Sequence, residues 1–155
     1  GPMIDKLAKE GNPMAFSFPE TNMPGFDFSF SGIKTAVLYF LRDQIKLAPD
    51  FIQKNLNDIA ASIQYRLINM LMVKLIAASQ ELGVNEIAIA GGVSANRGLR
   101  DRLQELAKEK KWNVYIPDFE YCTDNAGMIA MAAHYKFLEK DFCGLEVAPL
   151  ARMPI

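Results

Sequence analysis

Residues 48–83, APDFIQKNLNDIAASIQYRLINMLMVKLIAASQELG, constrain the fold of this chain more than any other stretch. Phe51, Ile52, Leu56, Ile59, Ile63, Leu67, Met70, Leu71 and Val73 recur at helical spacing. Gly83 supplies the stop, since glycine enters the left-handed conformation that ends helices without steric cost. The pattern predicts one unbroken helix of about 30 residues, well beyond an ordinary globular helix, packed on more than one side. Its methionine-rich INMLMVKL segment reads as core packing.

The flanking segments must cover that helix. Ile4 to Glu10 reads as a short helix stopped by Gly11-Asn12-Pro13. Residues 12–26 mix aromatic and Met side chains with prolines and glycines. They predict an ordered loop, because the aromatics need somewhere to be buried. FDFSFSG alternates aromatic with small polar residues, as a short extended segment does, and a helix is expected from Gly32 to Lys46. Further on, Ile87 to Ala90 is an apolar run expected to be a strand buried on both faces. A helix from Asn96 to Lys110 and a second strand in WNVYIP follow. YCTDNAGMIAMAAHYKFLEK reads as a loop and a helix, with Thr123 or Asp124 near its start, and the tail LEVAPLARMPI is irregular. The expected class is α/β, helix-rich with a small parallel sheet, in one domain over residues 1–155.

Several functions are disfavoured by composition. A net charge of −1 provides no global field for nucleic acid or anionic lipid. The basic residues Arg97, Arg100, Arg102, Lys108, Lys110 and Lys111 read as a solvated helix face. Cys122 and Cys143 do not form a CxxC pair, so a reducing, cytoplasmic setting is expected rather than a disulfide scaffold. No signal peptide and no apolar run of about 18 residues is expected, hence no membrane span. There is no HExxH and no Ser/His/Asp set for a peptidase, and one histidine, His134, makes no multi-histidine metal site.

The chemistry concentrates at two strand ends. Parallel neighbours put their carboxyl ends at one edge, where open α/β sheets bind ligands. After the first strand come Gly91, Gly92, Ser94 and Asn96. Glycines let a flat or anionic ligand approach the backbone, and the following helix N-terminus offers unpaired N–H groups. Asn96 can donate and accept, as a reader of a ribose hydroxyl or an adenine edge must. After the second strand come Thr123, Asp124 and Asn125, where Asp124 is a hard oxygen ligand for a divalent cation. Each has a plainer role: Gly-Gly makes tight turns, and Asn96, Thr123 and Asp124 are ordinary N-cap residues. Neither a Walker A loop nor GxGxxG is present, so these residues indicate a nucleotide- or phosphate-binding lobe and nothing narrower.

GPMIDKLAKEGNP, FDFSFSGIKTA, AGGVSANRGLR and YCTDNAGMIA occur in the order and spacing of the TsaD family, the tRNA N6-adenosine threonylcarbamoyltransferases, which this chain resembles over essentially its whole length. The resemblance implies part of an actin/Hsp70-like (ASKHA) fold, two lobes around a nucleotide cleft. It implies transfer of threonylcarbamoyl from threonylcarbamoyl-AMP to N6 of adenosine 37 in tRNAs reading ANN codons, with AMP leaving. A divalent metal, iron or zinc, and TsaB- and TsaE-like partner subunits are implied for the full-length parent. Carried over by position, Asn96 resembles the adenylate-binding asparagine, Gly91 and Gly92 the glycines against the nucleotide, and Asp124 the metal carboxylate. Gly1 matches the glycine before proline that faces the ribose if Gly1-Pro2 is native rather than left by a protease before Met3. Ser29, Ser31 and Lys34 belong to the family signature without an assigned role.

The departures bound the expectation. The H-x-x-x-H metal motif, the SGGHT-like segment and the aspartate upstream of GGP are missing, and His134 on its helix is a poor stand-in. The chain is therefore expected to be most of an incomplete C-terminal lobe, inactive alone. One carboxylate leaves a metal loosely held, and one lobe cannot close over the adenylate to exclude water. The alternatives are a non-catalytic lobe binding nucleotide, tRNA or a partner, open to self-association, and a lobe of another ASKHA phosphotransferase.

Overall fold

The computed structural model describes residues 1–20, 23–148 and 150. The described elements are α1 (Pro2–Ala8), α2 (Phe30–Leu47), α3 (Phe51–Leu82), β1 (Glu86–Ala88), α4 (Arg97–Lys110), β2 (Asn113–Tyr115) and α5 (Ala126–Leu138). Single 3-10 turns lie at Gly92–Ala95 and Phe119–Tyr121. The chain divides into two compact units, Gly1–Cys122 and a second that begins at Thr123.

α3 organises the first unit. At 32 residues it matches the periodicity, and α1, α2 and α4 pack on it. It is kinked at Asn55, whose φ of −118° leaves the helical region and whose Nδ2 donates to Phe51 O at 2.8 Å. Gly83 ends it at φ 64°, with the Gly83 and Val84 amides donating back to Ser79 O. Contrary to expectation, α3 is long and apolar enough to cross a membrane by length and composition, the one such helix among the described residues. Three helices and a long loop are seated on it, though only 28% of its apolar window is buried.

That loop is fastened by one polar stripe of α3. Asp58 Oδ1 accepts from Asn12 N at 2.7 Å, and Ser62 Oγ accepts from Phe16 N at 3.1 Å. Arg66 Nε donates to Pro19 O at 3.2 Å, and Lys74 Nζ donates to Met23 O at 2.7 Å and also to Gly25 O. Positions 58, 62, 66 and 74 differ by multiples of four, so they share a face, and the loop runs beside it in the same direction. The loop's aromatics are buried only in part: Phe18 is buried 5.4 Å from Phe40, Phe16 is half-buried 5.2 Å from Phe40 and 5.6 Å from Phe51, and Phe26 is exposed. FDFSFSG forms no strand. Ser29 is extended at the N-cap position, without a side-chain hydrogen bond to the helix, and Phe30 already starts α2.

α4 closes the other core. Leu99, Leu103 and Leu106, at i, i+4 and i+7, are buried against Met72 of α3, Ile87 of β1 and Trp112. β1 and β2 pair in parallel with Glu86 opposite Asn113 and Ala88 opposite Tyr115, and Ile89 N extends the ladder to Tyr115 O. The expectation that β1 is buried on both faces fails. Only Ile87 is buried in the strand, because two strands with helices on one side leave the other side open. On that open side Glu86 accepts from Tyr115 Oη at 2.7 Å and from Asn113 Nδ2 at 2.5 Å. These bonds hold the Glu86 carboxyl below its ordinary range and the Tyr115 phenol above its own.

α1 begins two residues earlier than the sequence predicts, because Pro2 is already shaped for a helix's first turn. Gly11 has a packing role rather than a capping one: a Cβ there would sit 2.1 Å from Asn57 O. Gly11→Ala is expected to cost about 3 kcal/mol, the upper end for forced overpacking, read as a lower urea midpoint. An unchanged midpoint would show that α1 rides on α3 with room to spare.

The Glu86 bonds carry a pH signature. A depressed carboxyl stabilises the fold above its unfolded value of 4.5, and that contribution fades as pH falls through the lower folded value. A raised phenol stabilises below 10.0 and fades as pH rises through the higher folded value. Glu86→Gln should therefore flatten the acid limb of a stability–pH curve by lowering the neutral plateau toward the acid value; an acid limb identical to wild type would remove Glu86 as its source.

Candidate functional site

The turn after β1 is built around a glycine that no other residue can replace. Gly91 has φ 79° and ψ 176°, a region open only to glycine. Its carbonyl accepts from the buried Ser94 through both the amide (2.9 Å) and Oγ (2.7 Å). A 3-10 turn, Gly92–Ala95, therefore separates the glycines from α4. Above Gly91 and Gly92 the space where a Cβ would sit is free of other atoms within 4 Å. The backbone there is open to close approach by a ligand, as expected of a glycine pair in such a turn.

Asn96 is the N-cap of α4. Its Oδ1 accepts from Leu99 N at 2.8 Å, and its Nδ2 donates to Gln64 Oε1 of α3 at 2.8 Å. The plainer of its two sequence roles is thus realised. One N–H and one lone pair of the carboxamide are left for a ligand. Gly98, two residues on, lies directly beneath Gln64: a Cβ would sit 2.8 Å from Gln64 Nε2 and 3.0 Å from Ile68 Cδ1. A side chain at position 98 would have to displace the ends of the Gln64 and Ile68 side chains.

Beside this crossing lies a cavity of about 420 Å³. Ala8 of α1, Ala61, Gln64 and Tyr65 of α3, and Gly98 and Asp101 of α4 are among its lining residues. Its walls mix apolar groups with amide and carboxylate groups, the composition of a small-molecule pocket. On α1, Gly1 O accepts from Asp5 N at 3.1 Å, and nothing lies within 4 Å of a Cβ at Gly1. Asp5 Oδ1 is buried without a hydrogen-bond partner. A buried carboxylate oxygen without a donor is costly, so it marks a place where a donor belongs. Asp5 sits one turn before Ala8, on the same face of α1.

Arg100 was expected on a solvated face and is found elsewhere. Its Nε donates to Ser94 O at 2.5 Å, and its Nη2 donates to Pro117 O at 2.6 Å and to Cys122 Sγ at 3.0 Å. The guanidinium lies over the Phe119 ring, 4.0 Å from its centroid. One side chain thereby ties the glycine turn after β1 to the segment after β2. Only a planar fork of five donors does this, and a lysine cannot reproduce it.

The second unit carries Asp124. Its carboxylate is exposed and has no hydrogen-bond or ion-pair partner among the described residues. The N-cap of α5 is Asn125, whose Oδ1 accepts from Met128 N at 3.1 Å, rather than Thr123 or Asp124. Asn125 directly precedes the first helical residue, Ala126, and Asp124 lies one position outside the cap. His134 is exposed on α5 with its ring 5.8 Å from that of Tyr135. Among the described residues no three His, Cys, Asp or Glu side chains come together to hold a metal ion. The described residues therefore do not build a metal centre by themselves.

Three contributors were not singled out in the sequence: Asp5, Gln64 and the bracketing function of Arg100. Asp5 had a signal, since it follows Gly1 by one helical turn at the start of α1. Gln64 had a weaker one, a polar residue beside Ala60 and Ala61 on a helix face small enough for close crossing. Arg100 had none beyond its place in a basic cluster.

A glycine turn and a capped helix beyond parallel strands, beside a mixed cavity, are the features of α/β proteins that bind small ligands at the carboxyl ends of their strands. Residues 1–131 match the family model described as tRNA N6-adenosine threonylcarbamoyltransferase, TsaD. The chain belongs to that family. Proteins of that name from Cytophaga hutchinsonii, Phocaeicola vulgatus and Porphyromonas gingivalis are 55%, 50% and 48% identical to it. Each aligns with the whole chain, which spans 45%, 46% and 46% of their respective lengths. The chain thus spans about half the length of the relatives it matches.

Arg100→Met should lower folding stability by about 3 kcal/mol, since carbonyl bonds to a charged donor contribute most and Ser94 O and Pro117 O would be left without it. Arg100→Lys should recover only part. A urea midpoint unmoved in both variants would show the bracket to be dispensable.

Proposed function

We propose that this chain is the adenylate-holding part of a threonylcarbamoyltransferase acting on tRNA, an incomplete C-terminal lobe of the ASKHA fold that works in the cytoplasm. The observation that carries this reading is the Asn96–Gln64 pair, which joins the helix start after the open glycine turn to a cavity that Gln64 lines, in a chain of this family. In the reaction, the adenine N6 of the tRNA attacks the carbamoyl carbon of threonylcarbamoyl-AMP. An N6–C bond forms, the bond from that carbon to the phosphate oxygen breaks, AMP leaves and N6 gives up a proton.

The residues of this chain bind and orient. The open backbone at Gly91 and Gly92 faces the phosphate, whose charge the start of α4 favours. Asn96 offers its remaining N–H to the nucleotide. Gly1, bare on its outer face, lies against the ribose, and Asp5 Oδ1, enclosed here without a donor, accepts from a ribose hydroxyl once a shift of its neighbours uncovers it. Asp124 contributes one carboxylate to a divalent metal, iron or zinc, whose other ligands lie outside this chain. When bound, such a metal polarises an oxygen of the transferred group. TsaB- and TsaE-like subunits are the proposed partners besides tRNA.

A second reading, a binding lobe that self-associates, draws on α5, where Ile129, Tyr135, Phe137 and Leu138 are all at least 60% exposed. The transferase reading is favoured because it also uses the cavity and the orphaned carboxylate.

The test uses the full-length protein. Asn96→Ser keeps a neutral cap for Leu99 N but removes the amide donor, so threonylcarbamoyl-AMP affinity should fall about tenfold while the melting temperature holds. Asp124→Ala should lower metal content and transfer rate together. An Asn96→Ser enzyme with wild-type affinity would remove the asparagine from the site, and undiminished metal content would remove Asp124 from the metal.

A further inference from the structure

We propose that Gln64 is a specificity-determining residue of the cavity, its side-chain amide donating to a ring nitrogen of the bound purine while its carbonyl is pinned by Asn96. The proposal rests on the reading of the cavity as the place of the adenylate and names which group there recognises the base.

The argument starts from a backbone amide, because its role is fixed. Leu99 N–H can only donate, so the Asn96 atom facing it at 2.8 Å must be the carbonyl Oδ1. The other Asn96 atom is then the amide Nδ2, also a donor. The Gln64 atom facing that one at 2.8 Å must therefore be the acceptor, Oε1. A single α4 N–H thus dictates the orientation of two successive side-chain amides. Neither can flip without setting donor against donor.

The consequence falls on Gln64 Nε2. It carries two N–H groups and donates to no atom among the described residues. It rests against the Cα of Gly98, where a side chain would collide with it, and both Gln64 and Gly98 line the cavity. The cavity wall therefore presents a donor held in place at both ends. Purines offer N1, N3 and N7 as ring acceptors. A fixed donor discriminates against a ligand with C–H at the matching position, because the Gln64 N–H is then left facing a group that cannot accept.

The test uses the full-length protein with AMP as the calorimetric probe, together with 1-deaza-, 3-deaza- and 7-deaza-AMP, each of which replaces one ring nitrogen by C–H. Wild-type protein should bind one of the three about tenfold more weakly than AMP and the others nearly as well. Gln64→Met, of similar size without the amide, should bind AMP about tenfold more weakly and bind that one analogue no worse than AMP. Gln64→Glu should still accept from Asn96 but repel the ring nitrogen, and so bind AMP more weakly than Gln64→Met. The proposal is overturned if all three analogues bind the wild type as AMP does, a result that needs no variant to fold. It is also overturned if Gln64→Met keeps the same preference among the analogues. Wild-type protein that fails to bind AMP at all would instead overturn the cavity reading, and this proposal with it.

Discussion

The close crossing of α4 over α3 is the contact on which the rest of the first unit depends. There the bare Cα of Gly98 lets the ends of the Gln64 and Ile68 side chains lie against α4. Given that approach, Leu99, Leu103 and Leu106 reach Met72 and the two strands, and the core closes. The same approach brings Asn96 within hydrogen-bond distance of Gln64. Packing and the candidate site are therefore one feature: the helix start that faces a ligand is held by the residues that seal the core. A side chain at position 98 would act on both together.

Two further devices position what surrounds the crossing. The polar stripe of α3 fastens the loop of residues 12–25 turn by turn, which lets Phe16 and Phe18 reach Phe40 and Phe51 without a strand to carry them. Arg100 fastens the segments that follow β1 and β2. A two-stranded sheet is too small to set the geometry of its own loops, since strand pairing orders only a few residues on each side. The guanidinium supplies the missing constraint from within the first unit, and it ends at Cys122, two residues before Asp124 in the chain.

Much of this was legible in the sequence, and for a common reason. α3, α4 and the two strands were readable because their apolar periodicity is a property of consecutive residues. Gly91, Gly92 and Asn96 were readable as a turn and a cap because backbone demands act locally. Burial of β1 was misjudged, because it depends on how many strands lie beside it. Arg100 was misplaced on a solvated face, because a charge in a basic run looks the same whether its partners are water or distant carbonyls. Asp5 was overlooked, since nothing in the spacing of a helix reveals that one carboxylate oxygen lies buried without a donor.

The sequence by itself determined the helices, the parallel strand pair, the glycine turn and membership of the family, all of which rest on short-range pattern or on motif order. Only the tertiary structure decided which polar atoms are spent and which remain free. Asn96 divides its bonds between its own helix and α3, Gln64 has its carbonyl used and its amide left over, and Asp124 yields the cap to Asn125. The physical reason is that hydrogen bonds are directional and are completed by groups from other elements. Which donor is left facing the cavity depends on the angle and distance at which helices cross, not on the order of residues along any one of them.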